Sequence, residues 1–499
     1  MVGSQSLVLS IDVGSSSVRV SAYEVFGEEL SEVAAKTIYR FVVTPDGGAE
    51  IDADTLLLHV VETVDLVLDR IGERADDVVG VGMSAFASSV MGVSRSGEPC
   101  TAVYTYADTR NAFDAAALRQ EWDVPEIYDR TGTPIHASYL PARLRWLSRT
   151  RAETVRKVER WITFGEYVFE QLFGRPCGLG LSMAAWSGLM NRHELVWDMG
   201  VLSALEVDPE SLGEIERDGH SVDDGLAGVW ARRWPALARV PWFPPLGDGL
   251  CSNLGTAIGG SSDVVINIGT SAAVRGIVPG PVDSIPTGLW EYRFDRDRSL
   301  FGGAETNGGN VAFWLRDILG GLDGGEMDDV VAGRDADGHG LTVLPFLSGE
   351  RSPGWDDSAR MTIHGASLNT CSADVLLAGL ESVAYRVAAI YDLLIAAVAE
   401  PEAVYVSGGA LSRSDRWTSI LADVLGRPVI RSNVSEPTAR GAALWVARAL
   451  GSAKCGLSDD GRGQVFDPDL RRHAQYCDAK ERQRRLYQRM SGAGDLYGH

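Results

Sequence analysis

Two stretches of this 499-residue chain follow one plan. Ile11-Asp12-Val13-Gly14-Ser15-Ser16-Ser17 and Ile266-Asn267-Ile268-Gly269-Thr270-Ser271-Ala272 each run from an apolar strand into a glycine, two hydroxyl residues, a small residue and a second strand. They lie about 255 residues apart, roughly half the chain. Self-similarity at that period argues for a duplicated domain. Length alone already asks for two domains or more. The expected fold class is therefore α/β, with two duplicated domains, each a mixed sheet flanked by helices, and a cleft between them. The expected limits are 1–253 and 254–451, with a tail at 452–499. The junction is expected around the small-residue stretch 255–262.

Local patterns fit that plan. Residues 7–11 (LVLSI) are a short apolar run, a Gly/Ser turn follows at 14–17, and VRVSAYEV alternates, which reads as strand, tight turn, strand. Leu57, Val60, Val61, Val64, Val67 and Leu68 share one helical face within 54–71. Residues 78–84 read as a buried strand, and 264–278 repeat the opening pattern. A long apolar helix over 375–399 is stopped by Pro401, and the strand at 403–407 runs into Gly408 and Gly409. Helices over 415–425 and 437–450 follow, and beyond 452 the chain turns polar and Arg-rich, as a terminal helix or arm.

Composition excludes some functions. Apolar residues are 45% and charged residues 23%, the balance of a soluble globular protein. The formal net charge is −22, so neither nucleic acid nor an anionic membrane is expected as a partner. An acidic protein that handles anions must gather its Arg and Lys locally. Six widely spaced cysteines (100, 177, 251, 371, 455 and 477) show no zinc or redox spacing and read as reduced thiols. With no signal-type N-terminus and no run of ~18 apolar residues, a cytoplasmic location is expected. A homodimer is admitted, although the sequence does not fix the oligomeric state.

Gly14 in Asp12–Ser17 permits the positive φ of a tight hairpin, whose N–H groups and the hydroxyls of Ser15, Ser16 and Ser17 can hold phosphate oxygens, with Arg19 close behind. Asp12, at a strand end, can hold Mg²⁺ through water. A plain hairpin is the alternative, weakened by the second copy at Gly269-Thr270-Ser271. Two such turns facing each other would clamp a polyphosphate. Only the first carries a carboxylate, which suits one metal site and one phosphate cradle. The chain has no Gly-x-x-x-x-Gly-Lys-Ser/Thr, and no Gly-x-Gly-x-x-Gly after a strand, so P-loop and dinucleotide-binding readings fail.

In Gly247-Asp248-Gly249, Asp248 reads either as a helix N-cap or as a general base, with flanking glycines that let a substrate approach. Tyr104, Tyr106, Asp108 and Arg110 form a set suited to a polyol or a carboxylate, or else an ion pair. His136 could join them or be structural. Gly408-Gly409-Ala410 with Ser412, and Glu436–Ala442, place small residues where a strand meets a helix. A flat ring such as adenine could lie there against backbone, and tight packing is the alternative.

In the order and kind of these motifs the sequence resembles the FGGY carbohydrate kinases, over about residues 7–450. Asp12–Ser17 and Gly269–Ser271 resemble the two phosphate motifs, Ser407–Ala410 the adenosine motif, and Asp248 stands where the family keeps its catalytic aspartate. Leu344–Pro353 is similar to the family's GER-x-P stretch, to which no role is given. Tyr106–Arg110, Thr131–His136, Asp248-Gly249-Leu250 and Glu305–Asn310 with Trp314–Asp317 resemble the gluconate kinases in particular. The resemblance implies ribonuclease H-like domains of the actin, Hsp70 and sugar kinase kind. It also implies ATP and Mg²⁺, and transfer of a phosphoryl group to a hydroxyl of a small sugar acid or polyol, gluconate first. Xylulose, ribulose and glycerol are the other acceptors. A non-catalytic sugar sensor on the same fold is opposed by the presence of both Asp12 and Asp248. The chain departs from the gluconate group at Ala87 and Ser88, where an aromatic–His pair would stand, which leaves Ser88 to meet the substrate. The expected division of labour is Asp248 as base, Arg110 and His136 on a substrate carboxylate, and Asp108 on hydroxyls.

Overall fold

The first repeat opens a five-stranded sheet. In the computed structural model, which describes residues 6–25, 27–216, 219–256, 263–320, 327–452 and 463–491, Leu7–Val13 (β1) pairs antiparallel with Ser17–Glu24 (β2), from Leu7↔Glu24 to Val13↔Val18. Ala35–Ile38 (β3) extends the sheet beside β2. Asp52 caps Ala53–Ile71 (α1) by accepting from the Thr55 N–H at 2.8 Å, and Leu56, Val60, Val64 and Val67 form its buried stripe. Val78–Ala85 (β4) and Leu246–Gly247 (β5) add parallel strands, giving the order β5-β4-β1-β2-β3. The segment between β4 and β5 folds over one end of this sheet, around a small core that includes Tyr104, Leu144, Trp146 and Leu202. Asp248–Thr256 (α2) starts where β5 ends. The junction expected at 253/254 falls within α2, and residues 257–262 of the expected linker lie outside the described residues.

The second half repeats this opening. Val264–Ile268 (β6) and Ala272–Pro279 (β7) form the matching antiparallel hairpin, and Trp290–Arg293 (β8) and Arg298–Glu305 (β9) extend it. Gly309–Ile318 (α3) and Ser372–Ala397 (α4) cover the sheet. Val404–Ser407 (β10) lies parallel to β6, as β4 does to β1, and Asp415–Leu425 (α5) returns to Val429–Arg431 (β11). Pro437–Ala449 (α6), Val465–Phe466 (β12) and Leu470–Ser491 (α7) follow, and the sheet order is β8-β9-β7-β6-β10-β11-β12. The Arg-rich tail is thus a helix, held to the second half by buried Tyr476 and Tyr487.

The halves are joined by two crossing helices. Ala439, Ala443 and Val446 of α6 pack with Val8 of β1 on the first sheet, and Ser10 donates to Ala439 O at 2.7 Å. Helices α2 and α6 meet backbone to backbone. A Cβ on Gly441 would overlap Cys251 O, and one on Gly255 would overlap Pro437 O, so both positions require glycine. Asp248 therefore stands at the start of a helix clamped between the two sheets. Among the described residues no helix is long and apolar enough to cross a membrane.

Candidate active site

Both glycine turns close in the same way: Gly14 N–H donates to Ser17 O at 3.0 Å and Gly269 N–H to Ser271 O at 2.9 Å. The side chains of Ser15, Ser16, Thr270 and Ser271 are exposed at the tips. The second turn is pinned by the start of α3, where Gly309 N–H donates to Gly269 O at 2.8 Å and Asn310 N–H to Thr270 O at 3.1 Å. The first is held by the Tyr39 hydroxyl, which donates to Gly14 O.

Between the halves lies a cavity of about 400 Å³, lined by Asp248 and Gly249 of α2, Asn267 and Arg275 of the second hairpin, Gly408, Gly409 and Ser412 after β10, and Thr438 of α6. Gly408 needs its positive φ of 98°, and any Cβ there would overlap the Ile268 carbonyl. A second, more apolar slot of about 350 Å³ is bounded by Ala410, Gly309, Ala312, Phe313 and Trp417. A polar chamber beside an apolar slot, sharing the Gly408–Ala410 turn, has the form of a site for a polyphosphate carrying a flat ring.

Asp248 is the one carboxylate among the residues lining the chamber. Its Oδ1 accepts from the Gly249 N–H at 2.8 Å, so it caps its own helix while facing the cavity, and the two sequence readings of this residue are compatible. Burial pushes its carboxyl above the ordinary range, opposed first by Arg275, then by the Gly249 and Ala87 amides and by Arg351. Asp12 at the end of β1 accepts from Ser84 Oγ. Burial, with the negative charges of Asp248 and Glu436, raises Asp12 to about 7 against the opposing Ser84 bond and Arg19.

Several of the residues expected to meet ligand have protein partners of their own. Arg19 is bound on both sides, Nη2 to Glu29 at 2.8 Å and Nη1 to Glu436 at 2.9 Å, so it bridges β2 to the start of α6 and does not offer a free guanidinium to phosphate. Asp108 is fully buried between Arg110 Nε at 3.1 Å and Arg143 Nη1 at 2.7 Å. Arg110 also pairs with Glu50 and lies over the Trp146 ring at 4.8 Å. This network fixes the loop after Thr105. His136 has both ring nitrogens engaged: Nδ1 accepts from the Ser138 N–H at 3.1 Å, and Nε2 donates to Asp357 Oδ1 at 2.7 Å. It ties the first half to the 350s loop, and burial, opposed by Asp357, lowers its pKa. Ser88 Oγ donates to Trp186 O at 2.8 Å and has a positive φ of 53°.

The positive charge that faces Asp248 comes from Arg275 and Arg351, which sequence reasoning did not single out. Arg351 follows the Gly349-Glu350 pair in the 350s loop, near the Tyr139 hydroxyl and with its guanidinium 5.6 Å from the Trp355 ring centre. Tyr106 adds a hydroxyl that reaches Ser15 and faces Asp248. A lone arginine in the apolar run AAVRGIV was the available signal for Arg275, because charged residues are seldom placed in buried strands without a partner.

Sequence and fold comparisons agree on the class. The profile of the FGGY family of carbohydrate kinases, N-terminal domain, matches residues 7–255, and that of the C-terminal domain matches residues 264–450. The chain belongs to the FGGY family of carbohydrate kinases, and it is a phosphotransferase acting on a sugar or related acceptor. It is 26% identical to the gluconokinase of Bacillus licheniformis over 461 residues, spanning 89% of this chain and 88% of the relative. Its fold matches a gluconate kinase from Lactobacillus acidophilus with a TM-score of 0.89 at 23% identity, covering 99% of this chain and all of the other. A ligand-bound xylulose kinase from the same organism matches with a TM-score of 0.90 at 23% identity, with the same coverage.

Proposed function

We propose that this kinase transfers the γ-phosphoryl group of ATP to a terminal hydroxyl of a small sugar acid, D-gluconate foremost, giving 6-phosphogluconate. The observation that carries the reading is a half-buried carboxylate, Asp248, that lines a polar chamber with Arg275 and is faced also by Arg351, both arginines coming from the other half of the chain. The hydroxyl oxygen forms its bond to the γ-phosphorus while the bond from that phosphorus to the β,γ-bridging oxygen breaks. The electron pair leaves with ADP and the hydroxyl proton passes to Asp248. On this reading residues 1–253 hold the acceptor and 254–451 the nucleotide. Backbone N–H groups and hydroxyls of Gly14–Ser17 and Gly269–Ser271 grip the phosphates, and Gly408–Ala410 with Ser412 backs the nucleoside. The clustered charges of Asp12, Asp248 and Glu436 fit Mg²⁺ held at Asp12, which when bound would neutralise the β- and γ-oxygens.

A sugar acid needs a cation near the acceptor, and Arg351 takes the part expected of Arg110. It lies on the acceptor side, close to Tyr139, Trp355 and Tyr106. The gluconokinase and gluconate kinase likenesses support gluconate. A pentulose is the second reading, supported by the equal likeness to a xylulose kinase and by the small Ser88 where a sugar-touching ring was expected. ADP release measured over a panel of aldonates, pentuloses and glycerol decides between them. Highest kcat/KM on gluconate supports the first, and turnover confined to neutral acceptors overturns it.

A further inference from the structure

Arg275 projects from β7 into the chamber that holds Asp248. Among the described residues it forms no ion pair within 4 Å, and its one protein acceptor is Gly249 O, 3.4 Å from Nη1. Its Nε is buried and has no hydrogen-bond partner. A guanidinium offers five N–H donors in a fixed planar fork, so most of this one's capacity is unclaimed by the protein. Leaving a half-buried cation, with its Nε out of reach of water, so poorly satisfied is costly unless an anion arrives to meet it. The position is held from several sides. Its guanidinium carbon lies 3.2 Å from where a Cβ on Gly249 would stand, and Trp186 crowds the same glycine. The charges that face Arg275 are Asp248 and Arg351. It therefore adjoins the carboxylate that takes the proton and also borders the turn after β10, where the nucleotide is proposed to lie.

We propose that Arg275 is a catalytic residue of the phosphoryl transfer, its guanidinium meeting the equatorial oxygens of the γ-phosphoryl group as that group passes from ADP to the acceptor hydroxyl at Asp248. The inference rests on the phosphoryl-transfer reading above and is independent of which acceptor is correct. In a loose transition state, charge spreads over those three oxygens, and a preorganised cation stabilises it more than it stabilises bound ATP. Arg275 and Arg351 then divide the work, one on the group in flight and one on the acceptor.

The test uses the full-length enzyme with whichever acceptor the parent turns over, so failure of the gluconate reading is seen in the parent before Arg275 is altered. In Arg275→Gln, kcat is expected to fall about 10²–10³-fold, the range for loss of one preorganised donor. ADP affinity should stay within about threefold, because ADP lacks the group that Arg275 meets. ADP with aluminium fluoride and acceptor, a mimic of the group in flight, should be trapped by the parent and not by Arg275→Gln. Low millimolar guanidinium should restore part of the rate. Arg275→Lys, which keeps the charge without the fork, should fall between the two and serves if the Gln variant does not fold. A kcat within about fivefold of the parent overturns the proposal. So does equal loss of ADP binding and kcat without guanidinium rescue, which would mark Arg275 as a strut beneath Gly249.

Discussion

Asp248 meets two opposed demands. It must be ionised to accept a proton, yet burial favours its neutral form, and Arg275, two backbone amides and Arg351 restore part of the balance. Because burial raises its pKa, the base is lost as pH falls through a value above the ordinary carboxylate range of about 3.9. The acid limb of kcat/KM should accordingly lie above that range, and a profile flat down to about pH 4 would contradict a buried base. Arg351 makes a separate prediction. Arg351→Ala should lower kcat/KM for an aldonate at least about tenfold more than for a neutral polyol, since removing a charge-assisted bond costs about 1.5–3 kcal/mol only where the acceptor carries the charge. Equal losses on both would remove Arg351 from carboxylate recognition.

At the scale of elements, the crossing of α2 and α6 carries the geometry. Gly441 and Gly255 let the helices touch along their backbones, and that contact seats Asp248 between the two sheets. Gly441→Ala should destabilise the protein by about 1–3 kcal/mol through overpacking against the Cys251 carbonyl. Gly228→Ala, at a helix start where the nearest atom is the far end of Arg232 at 3.5 Å, should leave the thermal midpoint nearly unchanged. Comparable midpoints for the two variants would refute the tight crossing. A second element-level prediction concerns β9 and the loop that bears Arg351. Glu305 is fully buried beside Glu350, which pairs with Arg386 and accepts from Tyr487 of α7 at 2.6 Å. Burial, and then the charge of Glu350, raise the Glu305 pKa. A raised folded-state value means that its contribution to stability is complete at low pH and is lost as pH rises through that value. Glu305→Gln, neutral throughout, should gain thermal stability relative to the parent as pH rises from about 4.5 to about 8, as read by calorimetry. A difference independent of pH would show that Glu305 does not titrate there.

Across the whole molecule, the sequence disclosed what depends on local chemistry. The twin glycine turns, the helical stripes of α1, α4 and α6, and Asp248 between its glycines were legible because residue type and apolar period leave marks along the chain, although neither Gly14 nor Gly269 takes the positive φ expected of the turn. Charged side chains whose partners lie far away in sequence were not. Arg19 is claimed by Glu436 and His136 by Asp357, pairings that exist only once the halves have met, and Asp108 by Arg143 within the first half, 35 residues on. For the same reason Arg275 and Arg351 went unremarked, since their significance lies in facing a carboxylate from the opposite half. Steady-state ADP release by Asp248→Asn with the preferred acceptor, alongside nucleotide binding, bears most directly on the proposal that this carboxylate deprotonates the acceptor between two phosphate-gripping turns. Expected is a fall in kcat of at least about 10²–10⁴ with ADP affinity retained, and turnover within about tenfold of the parent would contradict it.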